Sequence, residues 1–389
     1  MSRPAVQPRP FDPARACALA FLALVLALAP LAPCTDARAQ TLDDLRRAYD
    51  SQPPDRVESV LQSALRSVPD DPALLLFAGE MRADRGPLPE AESFLRRVLA
   101  SSGAPPAVRQ RAHLELGRTL YERDDPAGAH AQLDSALAGG GELGQAARWY
   151  LHLLGLDGSY GDWRTLESEH LRVHVQPGTP VDPEWFLGSR EDGLKEIQGF
   201  FGAQLPKKID VYLWRSSEDA QRSGLPPLGF ARPSMCLIHA RPGQSRGHEL
   251  AHVAEYWADL AWRPTRLIRE GTAAAFDLNA VDRLWFARTV LQRAGVTSVS
   301  VEQLWADRGE APETVIYPVG ALLVRRLIDR GGRDRFLAFL PDQSLENAGR
   351  VYGDTLTQII AETERDLAQP AAPAQQDTPE KPSAPAPPS

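Results

Sequence analysis

Positive charge, long hydrophobic runs and cysteine are all scarce in this sequence. Its 389 residues hold 43 Lys and Arg against 51 Asp and Glu, which gives a net charge of −8, and they include three cysteines. A net negative chain without a basic cluster is a poor partner for nucleic acid, because binding to phosphates needs grouped positive charges. The hydrophobic content of 43% is ordinary for a globular protein. The chain is therefore long enough for two or three domains with a sizeable core.

The long apolar run that the sequence does contain lies near the amino terminus, from Ala16 to Ala32. Arginines precede it and Ala37-Arg38-Ala39 follows it, which is the layout of a secretory signal peptide over residues 1–39. The run is shorter than the roughly 20 residues that span a bilayer, so an uncleaved anchor is the weaker interpretation and no membrane span is expected after cleavage. We expect an exported protein, periplasmic or secreted. Cleavage would leave Cys236 as the one remaining cysteine and exclude an intrachain disulfide.

Residues 40–157 predict a region of helical repeats. Small and large apolar residues recur in the same order in two stretches: Ala78-Gly79, Ala91, Leu95 and Val98, then Leu116-Gly117, Leu120, Ala129, Leu133 and Ala136. A partial copy, Val57, Leu61 and Ala64 followed by Pro69, precedes them. This pattern resembles the tetratricopeptide repeat (TPR), in which small residues let two antiparallel helices approach closely. Ala91 and Ala129 stand 38 residues apart (129 − 91), against about 34 for the usual repeat, which places a short insertion near Ser101 to Pro106.

We therefore expect three degenerate repeats and a capping helix from about residue 142 to 156. An unrelated helical bundle with chance matches is the alternative, because repeat signatures of this kind are loose.

Residues 158–368 predict a second domain, because their hydrophobic pattern differs from that of the helical repeats. Residues 169–175 alternate polar and apolar positions with period two, which predicts a strand with one solvated face. On that interpretation His170 and His174 point outward and are not ligands.

Two further strands and a helix follow in this second domain. The helix is predicted over residues 183–201 and the strands over residues 209–214 and 235–239. The last of these strands could offer an edge to an extended peptide, with His239 exposed to solvent. Beyond residue 245 the pattern is almost wholly helical, and the Pro- and Ala-rich segment 369–389 is expected to be a disordered tail.

The stretch Gly-His-Glu-Leu-Ala-His over residues 247–252 places two histidines four positions apart. Positions i and i+4 of a helix share a face, so His248 and His252 can reach one ion while Glu249 lies beside them. Ser245 is a plausible N-cap and no helix breaker occurs before Pro264, so a helix is expected here.

A catalytic zinc site needs a third protein ligand and leaves its fourth position for water. Glu270 is the candidate, because Pro264 separates two helices and allows the second to fold back on the first. The alternative for Glu270 is a surface glutamate paired with Arg269 or Arg266. A metal-bound histidine usually donates its other nitrogen to a carboxylate or carbonyl, for which three acids are available: Glu255, Asp259 and Asp277.

The His-Glu-Leu-Ala-His motif, followed by a helical glutamate in Arg269-Glu270-Gly271, resembles the gluzincin class of zinc metallopeptidases. It is most similar to bacterial exported proteins described as peptidase MA-like, which join such a domain to TPRs. The likeness covers roughly residues 160–345. It implies an α+β, mostly helical fold, in which a TPR-like α-solenoid precedes a zincin-like domain with a small sheet and a helical lobe.

The resemblance also implies the roles of the site residues. Zn²⁺ would be held by His248, His252 and Glu270, with Glu249 as the general base. Related enzymes supply a donor for the oxyanion from a later helix, for which Tyr317 is the candidate and Tyr352 the weaker one.

The sequence thus favours an exported zinc-dependent metallopeptidase that hydrolyses peptide bonds, with repeats that recruit a protein substrate or partner. No motif for binding a free amino terminus is evident, which favours an endopeptidase. The alternative is a catalytically silent envelope adaptor, although an adaptor has no chemical need for Glu249. A repeat protein without a metal is a third possibility.

Overall fold

The computed structural model describes residues 34–258, 263–277, 279 and 281–371. Residues 1–33 of the expected signal peptide and 372–389 of the expected tail lie outside this part. The described residues are mostly helical and include one five-stranded mixed sheet, an α+β arrangement. No helix among them is both long and apolar enough to cross a membrane.

Seven helices form the amino-terminal region. They are α1 Cys34–Ser51, α2 Pro54–Ser67, α3 Pro72–Arg85, α4 Leu88–Ala100, α5 Pro106–Glu122, α6 Pro126–Ala138 and α7 Gly141–Leu153. Proline near the start favours several of them, and the carboxylates of Asp71 and Asp125 cap α3 and α6 by accepting backbone N–H groups. The insertion expected near residues 101–106 coincides with the connection between α4 and α5.

In each of two helical hairpins, a glycine on the first helix packs against a leucine on the second. A Cβ atom at Gly79 of α3 would fall 2.7 Å from the side chain of Leu95 on α4, and one at Gly117 of α5 would fall 2.7 Å from Leu133 on α6. In both pairs the leucine follows the glycine by 16 residues (95 − 79 and 133 − 117). The two hairpins are therefore equivalent in packing, and the apolar residues of the predicted pattern are all buried.

The sheet follows this helical region. Its strands are β1 Arg164–Glu167, β2 Leu171–Val175, β3 Ile209–Leu213, β4 Phe230–Arg232 and β5 Leu237–Ala240. They are arranged β1-β2-β3-β5-β4, with β2, β3 and β5 parallel and the two outer strands antiparallel. The strand predicted over residues 235–239 is thus internal, and the edge near the metal motif is the short strand β4.

Both faces of the sheet are covered, so the solvated face predicted for residues 169–175 is wrong. One face packs into the core with helix α8 Pro183–Phe201. On the other face the rings of His174, Tyr212 and His239 stack in a row, with centroids 4.5 and 5.0 Å apart. His239 is buried, not solvated: the indole N–H of Trp214 donates to its Nδ1 at 2.9 Å, and its Nε2 lies 3.0 Å from the carbonyl oxygen of Leu153.

The helical region is fixed to this second face by a buried carboxylate. Asp210 on β3 accepts hydrogen bonds from the hydroxyl of Tyr121 on α5 at 2.8 Å and from Nζ of Lys207 at 2.7 Å. Burial acts to raise the pKa of Asp210, but bonds from His174 and Lys207 hold it well below its usual range. The α5 helix and the sheet therefore share a buried hydrogen bond to a carboxylate whose charge is paired with Lys207.

The short helix α9 Ser217–Arg222 lies between β3 and β4. The remaining helices form the carboxyl-terminal lobe: α10 His248–Ala258, α11 Arg266–Ala275, α12 Arg283–Arg293, α13 Val301–Trp305, α14 Glu313–Gly331, α15 Arg333–Phe339, α16 Leu345–Tyr352 and α17 Asp354–Leu367. Helices α11 and α14 touch at glycines, since a Cβ atom at Gly271 would fall 2.5 Å from the carbonyl carbon of Gly320. This close approach brings Tyr317, one turn before Gly320, beside α11.

Candidate metal centre

The motif residues lie in the first two turns of α10, as the sequence predicts. The hydroxyl of Ser245 accepts the backbone N–H of His248 at 3.4 Å, in the role of the expected cap. The apolar side of the helix is buried in the core through Leu250, Val253 and Ala254. The two histidines and Glu249 therefore point away from the core.

Glu270 on α11 meets both histidines. Its Oε2 atom lies 3.4 Å from Nε2 of His252 and 3.8 Å from Nε2 of His248. The three ligand atoms all lie within 4.8 Å of one another, and we refer to these residues as the α10 cluster. The pairing with Arg269 that the sequence left open also occurs, at 3.1 Å, but it uses Oε1 of Glu270 and leaves Oε2 to the histidines.

The cluster is electrostatically coupled. Burial acts to lower the pKa of His248, but hydrogen bonds to Asp277 and Glu270 raise it to about 10. Burial acts to raise the pKa of Glu270, yet the bonds from His248 and His252 hold it well below its usual value. Because a metal ion binds a neutral imidazole, an ion at this centre competes with a proton on His248.

A carboxylate orients the far side of His248. Oδ1 of Asp277 lies 3.3 Å from Nδ1 of that histidine and also accepts the hydroxyl hydrogen of Ser245 at 2.8 Å. Asp277 is therefore the acid, of the three expected from the sequence, that takes this role. Glu255 is instead buried, where it accepts a hydrogen bond from Gln343 at 3.0 Å and burial raises its pKa to about 8. Asp259 lies outside the described residues.

Glu249 lies between the cluster and the edge strand. The amide Nε2 of Gln244 donates to its Oε1 at 2.7 Å, and the backbone N–H of Ala231 on β4 also points to it. Burial raises the pKa of Glu249 above its ordinary value, against the opposing effect of the two histidines. Sequence reasoning missed Gln244, because it precedes the helix and no periodicity links it to position 249.

The two tyrosines that the sequence offers as oxyanion donors lie in different places in the structure. The ring of Tyr317 on α14 lies 5.6 Å from that of His248, centroid to centroid, and its hydroxyl makes no hydrogen bond within the described residues. Tyr352, the weaker candidate, is in the core of the carboxyl-terminal lobe, where it packs on Phe339. It therefore takes no part in this centre.

No protein-family model matches the chain, and no curated protein matches it either. The side chains and their geometry are therefore the basis on which a function can be assigned.

Proposed function

We propose that this protein is an exported zinc-dependent metallopeptidase of the gluzincin type. The observation that carries the proposal is the convergence of His248, His252 and Glu270 beside Glu249. Ligand atoms about 2.0–2.1 Å from a tetrahedral zinc lie roughly 3.4 Å apart, and the Glu270 oxygen lies 3.4 and 3.8 Å from the two histidine nitrogens. Two imidazoles and one carboxylate form a donor set that suits zinc and leaves a fourth position open.

The chain supplies the groups that peptide hydrolysis needs. Zinc would contribute a Lewis acid that polarises the scissile carbonyl and makes water more acidic. Glu249 accepts the proton of the attacking water and passes it to the leaving amine. Its raised pKa brings its basicity closer to the working pH, and Gln244 holds its carboxylate in place. The hydroxyl of Tyr317 donates to the oxygen that becomes negative in the transition state.

The proposal extends to the domains. The matched Gly79–Leu95 and Gly117–Leu133 contacts support α1 to α6 as three degenerate TPRs, with α7 as the cap. The repeats contact the metal helix, because the hydroxyl of Tyr256 on α10 donates to the backbone oxygen of Asp84 on α3. A protein recruited by the repeats would therefore be held close to the metal centre.

The test is the variant Glu249→Gln, which keeps the shape of the side chain and removes its basicity. Denatured envelope proteins serve as substrate, and mass spectrometry identifies the new termini. We expect wild type to generate new termini and Glu249→Gln to generate none, while both bind the same amount of zinc. Glu255→Gln is the matched control, since it makes the same change on the same helix away from the cluster, and it should cleave like wild type.

Wild-type cleavage that persists in Glu249→Gln would contradict the proposal. Zinc binding with no cleavage by either protein would favour the catalytically silent adaptor.

A further inference from the structure

Arg190 on α8 is a buried cation without an acidic partner. Among the lysines and arginines of the described residues, Arg190 and Lys207 are the two that are buried, and Arg190 is 7% exposed. Lys207 pairs with Asp210 at 2.7 Å, whereas Arg190 forms no ion pair with any carboxylate in the described ranges. Its guanidinium donates to the hydroxyl of Ser189 and to the backbone oxygen of Gln244, both at 2.9 Å.

This arrangement is costly for the protein as it stands. An unpaired charge that is removed from water destabilises the fold unless another group compensates for it. Burial, and then the nearby charge of Arg246, lower the pKa of Arg190 to about 10. The guanidinium carbon lies 3.9 Å from the centroid of the Phe186 ring, a cation–π contact that offsets part of this cost. The site therefore holds a positive charge that its own residues do not neutralise.

Arg190 lines a narrow cleft that also contains Glu249. Gln244 joins the two, because its backbone oxygen accepts from Arg190 and its side-chain amide donates to Glu249. The cleft has a volume of about 20 Å³, which is room for roughly one water molecule. It is too small to admit an aromatic ring.

Two more arginines without an acidic partner in the described part of the chain lie in the loop that borders this cleft, and one of them, Arg246, lines it. Arg246 is exposed in the loop before α10 and lines the cleft. Arg241 begins that loop, where its Nη1 donates to Ser217 and its buried Nε has no partner. In a protein with a net charge of −8, three such arginines create a local positive potential that attracts an anion.

We propose that Arg190, assisted by Arg246, binds a carboxylate of the peptide substrate. This inference rests on the proposed peptidase function and assigns its substrate class: peptides with an acidic side chain, or the free carboxyl terminus, next to the scissile bond. Arginine suits the role because its planar fork pairs with both oxygens of a carboxylate. Ser189 and Gln244 use two of its five N–H groups and leave the others for the ligand.

The test uses four dipeptide hydroxamates, which chelate zinc and need no known cleavage site. They carry Asp or Asn, each with a free or an amidated carboxyl terminus. Calorimetry on zinc-loaded protein should show a carboxylate preference of about tenfold, as expected for a charge-assisted hydrogen bond. If the Asp compounds bind more tightly than the Asn compounds, Arg190 recognises an acidic side chain. If the compounds with a free carboxyl terminus bind more tightly than the amidated ones, it recognises that terminus.

Three variants separate recognition from folding. Arg190→Met keeps the packing on Phe186 and should bind all four hydroxamates with affinities within about twofold of one another, without a lower Tm, since it removes an unpaired buried charge. Arg190→Lys should restore part of the preference, and the exposed substitution Arg246→Ala should reduce it.

Equal binding of all four compounds to wild type would overturn the inference and leave the zinc site standing. Equal weakening of all four compounds by Arg190→Met would also overturn it, because that result indicates a structural role. Failure of every hydroxamate to bind folded wild type would instead show that the zinc site, and with it the proposed function, is wrong.

Discussion

In the described part of the chain, two groups of histidine and carboxylate have ligand atoms within 4.8 Å of one another. One is the α10 cluster, and the other, which we name the β2 cluster, consists of Glu169, His170 and Glu191. Distance alone does not distinguish them. The difference lies in the other partners of each ligand atom.

In the β2 cluster the ligand atoms already have donors. Glu191 accepts the hydroxyl of Ser168 at 2.6 Å and the backbone N–H of His170 at 3.2 Å, and its Oε1 lies 2.7 Å from Nδ1 of that histidine. The ammonium of Lys195 lies 3.2 Å from Glu169 and 3.6 Å from Glu191. A lysine thus supplies the positive charge that a metal would bring. The sequence prediction that His170 is not a ligand stays consistent with this geometry, although the residue precedes β2 and is not part of the strand.

In the α10 cluster the ligand atoms contact one another, and within the described residues no lysine pairs with them. Oε2 of Glu270 faces two histidine nitrogens, and Asp277 contacts the opposite nitrogen of His248. Such ligands are oriented for an ion. The comparison teaches that a candidate metal site is recognised by ligand atoms that contact one another without a lysine among them, and by an orienting carboxylate, more than by proximity.

Among the variants that test the comparison of the two clusters, Tyr317→Phe is expected to have the largest effect. The hydroxyl of Ser168, beside the β2 cluster, donates a hydrogen bond to Glu191. The hydroxyl of Tyr317, near the α10 cluster, makes no hydrogen bond within the described residues and is the proposed donor to a substrate. We expect kcat to fall by about 10² to 10³, as for other oxyanion donors, with KM and zinc content unchanged. Tyr352→Phe, which removes a hydroxyl from the core, is the control. An unchanged kcat in Tyr317→Phe would remove that residue from the mechanism.

Asp277→Asn gives a smaller effect. The amide cannot accept from His248 with the strength of a carboxylate, so zinc affinity should fall by about 10- to 100-fold, as measured by competition with a chromogenic chelator. Glu191→Gln, the matched change in the β2 cluster, should leave zinc affinity as it is. Equal losses of zinc affinity in Asp277→Asn and Glu191→Gln would contradict the distinction between the two clusters.

Local patterns in the sequence predicted the parts of the fold that depend on neighbours along the chain. The α8 helix has its predicted bounds because Asp182 caps its start and Gly202, with positive φ, ends it. His248, Glu249 and His252 follow from helical spacing alone. The packing positions of the repeats follow from the recurrence of small residues such as Gly79.

These local patterns could not predict contacts between segments that are far apart along the chain. His239 was expected in solvent, but the helical region covers that face. Its Nε2 contacts the backbone oxygen of Leu153 in α7, and the indole of Trp214, directly after β3, donates to its Nδ1. The edge strand β4 has three residues, too few for a period to show. Gln244 and Arg190 matter through a contact that spans 54 residues of chain, which no spacing rule anticipates.

The most direct test of the account is the zinc content of the purified chain from Gln40 onward, measured by elemental mass spectrometry. Wild type and His170→Ala should each retain about one zinc per chain, and His248→Ala should retain none. A folded wild-type protein without zinc, or a His248→Ala variant that keeps it, would contradict the assignment of the α10 cluster as a metal centre.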